Sequence, residues 1–551
     1  MKERLLGLIS NKRRITLILI VLLAFTLRFY QLDSYPALNA DEAAIGYNAY
    51  SLIQTGKDEH GNPWPIHFQS FNDYKPGLYF YIVVPFVKLF GLNEMSVRAP
   101  AAFLGVVTVL LVYMLVKELF DDEEGSLVAS FFLAISPWHI HFSRGGWEAN
   151  VATFFISLGV LLFLKGLKKP KYYYGCLVSF VLALYTYHAA RVVVPLLGIG
   201  LFAIYFKDIL KSKRTIIIAA VVGLVLVLPL ALDLTKGGAL SRAAGVGLFA
   251  DPGPKSRLEE QRGEHSNISS LLAKSLHNKA VNYSLAFLEN WGKHYWGEFL
   301  FLSGDEVQRN KVPETGEMYI YDVVLVGIGL IVIVRNLKKE HATIMWWLIV
   351  APVASALTFQ APGALRAHNM IIPLVILSEF GLMCIVAQFR KRVSRTNLRN
   401  AFYIVVVAAI CLNFGRYLHM YYVHMAKEYP FSSQYGLKDL VSYVQGHTSA
   451  YQKILVTDRY DQPYILFLFY MKYSPAKFQA EHTLTPRDGF GFSTVNHFDK
   501  YYFSTIRFDE AKVDNPNTLI VGTDTEIPNE ANIVRVIYGP DGKPVFKIVA
   551  N

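Results

Sequence analysis

The sequence predicts a multi-span α-helical membrane protein that ends in a small α/β domain, on three observations. Apolar residues make up 53% of the 551-residue chain and charged residues only 18%, against roughly 25% charged in an ordinary soluble protein. The apolar residues are gathered into runs near the length needed to cross a bilayer. Lysine and arginine sit in short clusters between those runs, the positive-inside pattern of a polytopic protein. That placement also answers the net charge of +11, which would otherwise suggest nucleic acid. A mean hydropathy of +0.30 excludes a soluble globular enzyme, a disordered chain and a coiled coil. The 14% aromatic content suits a protein with many membrane–water interfaces.

Each element follows from charge and run length. Lys2, Arg4, Lys12, Arg13 and Arg14 precede the first apolar run, 15–32. No small-residue cleavage site follows, so the run reads as an uncleaved anchor with a cytoplasmic N-terminus. Basic clusters at 165–171, 207–214, 335–339 and 390–399 are taken as cytoplasmic. Spans then fall near 149–165, 173–189, 191–206, 215–233, 320–335, 342–358, 370–388 and 400–418. The outside segments become 33–75, 143–150, a tight turn near 188–191, 234–319, 359–369 and 419–551. Parity requires an even number of crossings between 33–75 and 143–150, yet three apolar segments lie there: 76–91, 98–117 and 126–142. One of them must be partial or interfacial, which gives about eleven spans of ~17–20 residues or more.

The chain therefore divides into a transmembrane domain, 1–418, with large outer loops 33–75 and 234–319, and an extracytoplasmic α/β domain, 419–551. In the latter, Lys453–Thr457, Thr518–Gly522, Ile533–Tyr538 and Val545–Val549 read as strands. Tyr464–Tyr473 is apolar but too short to span. Cys176, Cys384 and Cys411 all lie inside apolar runs, so neither a disulfide framework nor a zinc site is readable. DxD, HExxH, GxSxG and nucleotide-binding glycine motifs are lacking, and the histidines have no metal-ligand spacing.

The first outer loop carries the most information. Ile45, Ala49, Leu52 and Ile53 share one helical face, with Asp41 and Glu42 in the first turn. Two acids there complement the helix dipole; equally, a carboxylate at the membrane surface is placed to accept a proton. Lys75 precedes Pro76-Gly77 at the head of an apolar run, as a snorkelling lysine would. Arg28 lies within the first run, where a charge costs ~2.5–3.5 kcal/mol on insertion scales unless it snorkels or pairs; Asp41 and Glu42 are candidate partners. Arg144 and Glu148 (FSRGGWEAN), His188 and Arg191 (YTYHAARVVVP), and Arg366 and His368 (APGALRAHNM) all fall at predicted outside turns. Singly these are ordinary helix-end groups. Together they form a set of cations at one depth that suits an anionic lipid headgroup. Arg242, Arg257 and Arg262 add basic character to 234–319, read as a cover over the site or as a plain solvated loop.

RFYQL and NADE, then YKPGLYFY, VRAPAAFLG and FSRGGWEAN, resemble the dolichyl-phosphate-mannose–protein mannosyltransferase family. The bacterial aminoarabinose–lipid A transferases fall in the same GT-C glycosyltransferase superfamily. The resemblance covers roughly residues 14–390 and is strongest over 28–150. It implies a GT-C-type membrane enzyme that takes a sugar from a polyprenyl-phosphate donor to a lipid, glycan or protein hydroxyl at the outer face. It also implies that Asp41-Glu42 is the catalytic acidic pair, with Lys75 at the start of the family's Lys-Pro-Pro motif (here Lys-Pro-Gly) and Arg144 at its arginine before an acid. Asp41 is expected as general base of an inverting transfer, with Glu42 beside it. Lys75, Arg144, Arg191 and Arg366 are expected on the donor phosphate, supported by Arg28, Glu148, His188, Arg242 and His368. No cofactor is implied with certainty and a divalent metal is left open, with Glu42 and Glu148 as its candidates. Loop 234–319 is too short for the β-trefoil of protein mannosyltransferases. The competing class is a lipid-linked-sugar flippase or transporter, which would place coupling charges at mid-membrane and show repeated halves.

Overall fold

The computed structural model describes residues 2–236, 245–266, 270–488 and 492–551, with the backbone alone over 2–10. In chain order its principal helices begin with α1 (Lys2–Phe29) and α2 (Ala40–Thr55). A hairpin of β1 (His67–Ser70) and β2 (Asp73–Pro76) precedes α3 (Leu78–Phe90), α4 (Glu94–Phe120), α5 (Glu123–Ile135) and α6 (Pro137–Ser143). Then come α7 (Glu148–Lys168), α8 (Tyr172–Thr186), α9 (Ala190–Ile209) and α10 (Lys213–Leu234). The large loop carries α11 (Gly253–Gly263), α12 (Leu271–Leu276) and α13 (Lys279–Lys293). The last apolar helices are α14 (Asp322–Arg335), α15 (Lys339–Val350), α16 (Ile371–Arg392) and α17 (Thr396–His419). The tail adds α18 (Leu437–His447), β3 (Lys453–Val456), α19 (Pro463–Met471), β4 (His497–Phe498), β5 (Tyr501–Phe503), β6 (Thr518–Gly522), β7 (Ile533–Tyr538) and β8 (Pro544–Ala550).

Among the described residues, five helices are long and apolar enough to cross a bilayer: Glu94–Phe120, Glu148–Lys168, Ala190–Leu234, His368–Arg392 and Thr396–Glu428. The 45-residue Ala190–Leu234 stretch contains two of the expected spans, separated by a 3-10 turn at Leu210–Ser212. The expected spans 173–189, 320–335 and 342–358 are helices of only 15, 14 and 12 residues, below the ~17–20 a crossing needs. Among the described residues five helices thus meet the length criterion, one of them covering two expected spans, where charge alternation suggests about eleven crossings. The three disputed segments also resolve as elements. Segment 98–117 lies in the 27-residue α4, while 76–91 is the 13-residue α3. Segment 126–142 breaks into α5 and α6 at Ser136, whose ψ of 127° is the extended backbone favoured before a proline.

Contacts divide the chain into two compact units. The first comprises residues 1–28, 102–143 and 148–418. Within it α14 and α16 meet through glycine. A Cβ on Gly329 would lie 2.0 Å from the Leu377 carbonyl oxygen, and one on Gly381 would lie 2.0 Å from that of Leu325. Small residues let backbones approach to this degree in membrane helices, where dispersion rather than the hydrophobic effect drives association.

The second unit comprises residues 29–101, 144–147 and 419–551. The strands expected in the tail are all present. Together with β4 and β5, which were not expected, these four strands form a six-stranded sheet of order β4-β5-β3-β6-β8-β7, with β3 parallel to β5 and β6 and the remaining pairs antiparallel. One of its cores is Leu455, Ile506, Ala511, Ile520, Ile527 and Val549. The apolar Tyr464–Tyr473 stretch supplies α19, which packs on α2. A Cβ on Gly46 of α2 would come within 2.5 Å of Phe469 and 2.7 Å of Val97, so α2 is wedged between α19 and α4.

Gly381→Leu is expected to separate α14 from α16. Thermal unfolding of the detergent-solubilised protein should show a loss of at least the ~1–3 kcal/mol typical of overpacking.

Candidate functional site

The second unit gathers Asp41, Glu42, Lys75 and Arg144. Asn39 starts α2 as a capping box: its side chain accepts from the Glu42 amide at 3.0 Å, and Glu42 Oε2 accepts from the Asn39 amide at 3.3 Å. This exchange satisfies two of the helix's orphan donors. The Ala40 amide donates to Gln434 Oε1 at 2.6 Å, so a tail residue closes the same helix start.

Glu42 is fully committed. Arg98 Nε donates to Oε1 at 2.7 Å and Nη2 to Oε2 at 2.8 Å. Oε1 also accepts from the Gly146 amide at 2.9 Å, and Oε2 from Asn39 Nδ2 at 3.2 Å. The remaining Arg98 hydrogens go to the carbonyls of Leu32, Pro36 and Ala37. Both side chains are buried. A bidentate pair with every polar atom engaged is the one geometry that offsets the desolvation of two buried charges.

Asp41 is different. Its carboxylate is 26% exposed and is paired with the buried Lys75 ammonium. The hairpin delivers that lysine. Ser70 opposes Asp73, so the connection is the two residues Phe71 and Asn72, at φ +55° and +56°. Asn accepts this left-handed geometry readily, but an aromatic residue there is strained. The Phe71 ring is put to use: the Lys75 Nζ stands 4.9 Å from its centroid, a cation–π contact. The tip is tied to the tail, because Ser493 donates its amide to the Phe71 carbonyl at 2.9 Å and Asn72 Nδ2 donates to Ser493 Oγ at 3.1 Å.

Arg144 is buried in an aromatic box. Its Nε donates to Tyr421 Oη at 3.1 Å and its Nη2 to the Tyr35 carbonyl at 3.2 Å. The guanidinium lies 5.4 Å from the ring centres of both Tyr421 and Tyr422. Beyond the hairpin, Glu59 is wholly buried; its amide donates to Asn48 Oδ1 of α2 at 2.8 Å. Burial pushes the Glu59 carboxyl up to about 8, reinforced by Asp58, with Asn48 and Lys75 pulling the other way. Burial drives His60 down to about 3, helped by His482. Glu59 and His60, 3.6 Å apart, thus face each other as neutral groups at pH 7.

The first unit holds the other predicted residues. Arg28 is buried, donating to the carbonyls of Ala24, Leu133 and Ala134 and meeting His139 Nδ1 at 2.6 Å. The bidentate partner of Glu42 is therefore Arg98 rather than Arg28. Glu148 is the first residue of α7. His188 Nδ1 meets Arg191 Nη1 at 3.1 Å, and Arg191 Nε donates to the Leu184 carbonyl. Arg366 makes two bonds to Gln360, at 3.0 Å each. His368 is buried against Thr153 at 2.9 Å and stacks on His139. A small cleft is lined by Thr153, Tyr187, Ala190, Arg366 and His368, so the turns bearing Arg191 and Arg366 do meet. Arg242 lies outside the described residues.

No group of three or more potential metal ligands occurs among the described residues. Glu42 in particular does not fit the role expected of it, since its oxygens are occupied by Arg98, Gly146 and Asn39. Sequence reasoning also overlooked Arg98, Gln434 and Glu59. For Arg98 the signal was present in VRAPAAFLG, a charge inside an apolar run.

In fold the chain is similar to the GT-C-type membrane glycosyltransferases. Residues 74–232 match the dolichyl-phosphate-mannose-protein mannosyltransferase family. ArnT from Cupriavidus metallidurans, in the apo state, is similar over 96% of this chain and 97% of its own, at 12% identity and a TM-score of 0.53. The Archaeoglobus fulgidus oligosaccharyltransferase, solved with zinc and sulfate, matches 83% of this chain and 61% of its own, at 14% identity and a TM-score of 0.52. Among curated proteins, a putative mannosyltransferase of Bacillus subtilis, YkcB, is 32% identical over 97 residues, 18% of this chain. An uncharacterized protein of Aquifex aeolicus is 26% identical over 201 residues, 36% of this chain. The matches span 39% of the Aquifex protein and 13% of the Bacillus protein.

Arg98→Met should strand the buried Glu42 carboxylate and cost about 3–5 kcal/mol in thermal unfolding, with part of that loss recovered in the Glu42→Gln/Arg98→Met double variant. Glu59 sets a pH dependence. Its folded pKa exceeds the unfolded value of 4.5, so between about 4.5 and 8 the unfolded chain releases a proton that the folded one keeps. The Glu59 contribution therefore falls as pH rises through that window, by at most about 1.4 kcal/mol per unit; up to about 6.5 the lowered pKa of His60 acts in the opposite sense, so the net fall lies between about 6.5 and 8. Glu59→Gln should gain stability relative to the parent between pH 5 and pH 9.

Proposed function

We propose that the protein is an integral membrane glycosyltransferase. It moves a sugar from a polyprenyl-phosphate donor to a hydroxyl on a lipid, glycan or protein acceptor at the outer face of the cell membrane. The observation that carries this reading is the division of labour in the acidic pair: Glu42 is locked by Arg98, whereas Asp41 keeps a partly exposed carboxylate against Lys75. The ArnT structure with bound undecaprenyl phosphate supports the choice of donor. In the topology we infer, about eleven crossings with the N-terminus in the cytoplasm, residues 33–75 and 419–551 lie outside.

A sugar on a lipid phosphate already has a competent leaving group. The acceptor oxygen attacks the anomeric carbon from the side opposite the phosphate. A C–O bond forms as the bond to phosphate oxygen breaks, the configuration inverts, and polyprenyl phosphate departs with the electron pair. The hydroxyl acidifies as it bonds, and Asp41 accepts the proton late, which a carboxylate base can do. Glu42 orients Asp41 through the shared helix start rather than reacting. Lys75 stabilises the departing phosphate, with Arg144 of the same unit as a further cation for it.

Purified protein given a labelled lipid-linked sugar should release polyprenyl phosphate only when an acceptor is present. Asp41→Asn should lower that release by about 10²–10⁴-fold, and Lys75→Met by about 10²–10³-fold, while both variants still accumulate in membranes. Full transfer by Asp41→Asn would discard the base assignment. Movement of intact donor across the bilayer without cleavage would establish the flippase instead.

A further inference from the structure

Helices α12 and α13 of the large loop are built inside out for a solvated segment. Leu271, Leu272 and Leu276 are exposed on α12, Leu271 to 86%. On α13 the exposed residues Val281, Leu285 and Leu288 follow i, i+4, i+7 spacing and share one face, Leu285 being 60% and Leu288 56% exposed. The opposite face carries buried Asn290, whose Nδ2 donates to the Thr358 carbonyl at 3.0 Å. Water would select the reverse pattern; a hydrocarbon neighbour selects this one.

Two further observations identify the neighbour. Trp291 Nε1 donates to the Ile349 carbonyl and Tyr295 Oη to that of Leu348, each at 2.9 Å. The C-terminal end of α13 is thus fastened to the last turn of the apolar helix α15 by the two residue types that favour the membrane–water boundary. Residues 271–293 also carry three lysines (Lys274, Lys279, Lys293) against one acid, Glu289, which complements anionic headgroups. Beside α13 a hollow of about 520 Å³ is lined by Leu248, Phe249, Lys279, Tyr283, Phe287 and Leu357, an apolar trough with one cation.

We propose that α12 and α13 are seated in the bilayer interface. Their leucine faces lie among the acyl chains of the leaflet on the loop's own side, and Lys274 and Lys279 meet phospholipid phosphates. The loop is then a membrane-embedded shoulder rather than a solvated cover. This rests on the membrane reading above.

The test uses full-length protein in phosphatidylglycerol-containing vesicles, with Cys176, Cys384 and Cys411 replaced by alanine and spin labels placed singly at positions 285 and 288. A label at 224, on the exposed face of α10, serves as lipid reference, and one at 543 as aqueous reference. The expected result is an oxygen-to-nickel-chelate accessibility ratio at 285 and 288 several-fold above that at 543 and close to that at 224. In otherwise unaltered protein, a benzophenone side chain at 288 should crosslink to phospholipid. Chelate access at 285 and 288 while 224 stays dry overturns the proposal alone; chelate access at 224 as well overturns the membrane reading with it. Shielding from both reagents, with a protein crosslink at 288, overturns the proposal in favour of a second copy or a partner protein.

Discussion

The buried Glu42–Arg98 pair is the constraint on which the second unit depends. A carboxylate and a guanidinium without water are tolerable only when all their hydrogen-bonding capacity is met. Meeting it draws in the Asn39 cap, the Gly146 amide and three carbonyls of the 32–37 segment. The start of α2 is thereby fixed in position and direction. Asp41, one residue before Glu42, inherits that placement without sharing its burial. One carboxylate supplies rigidity, so its neighbour can keep an open face.

A second consequence concerns Lys75. Its ammonium stays buried because a carboxylate and an aromatic face both meet it, and the aromatic face is available only because Phe71 tolerates a left-handed backbone. Local strain at a turn is sustained by the contacts it makes, here with Ser493 and the lysine. The hairpin, the helix start and the tail thus form one continuous polar scaffold.

Much of this was legible in the sequence for physical reasons. The strands of the tail were visible as short β-branched runs between turn residues, and α2 through its apolar spacing and first-turn acids. The acidic pair stood out because charges beside an apolar anchor require a reason. Other features were hidden. Arg98 shows in the sequence as a charge inside an apolar run, but its partner Glu42, 56 residues away, appears only in the fold. Gln434 is an unremarkable polar residue until its side chain closes α2. The shortness of α8, α14 and α15 was masked because charge clusters mark only where a run can stop, whereas helix ends are decided by prolines, glycines and packing. Ser136-Pro137 shows this, splitting a run that hydropathy alone reads as continuous.

Gln434 carries an implication for how the molecule comes into being. The amide it caps belongs to Ala40, 394 positions earlier, so α2 leaves the ribosome long before the residue that completes its first turn exists. A nascent chain can insert its helices while its acidic pair still lacks its final support.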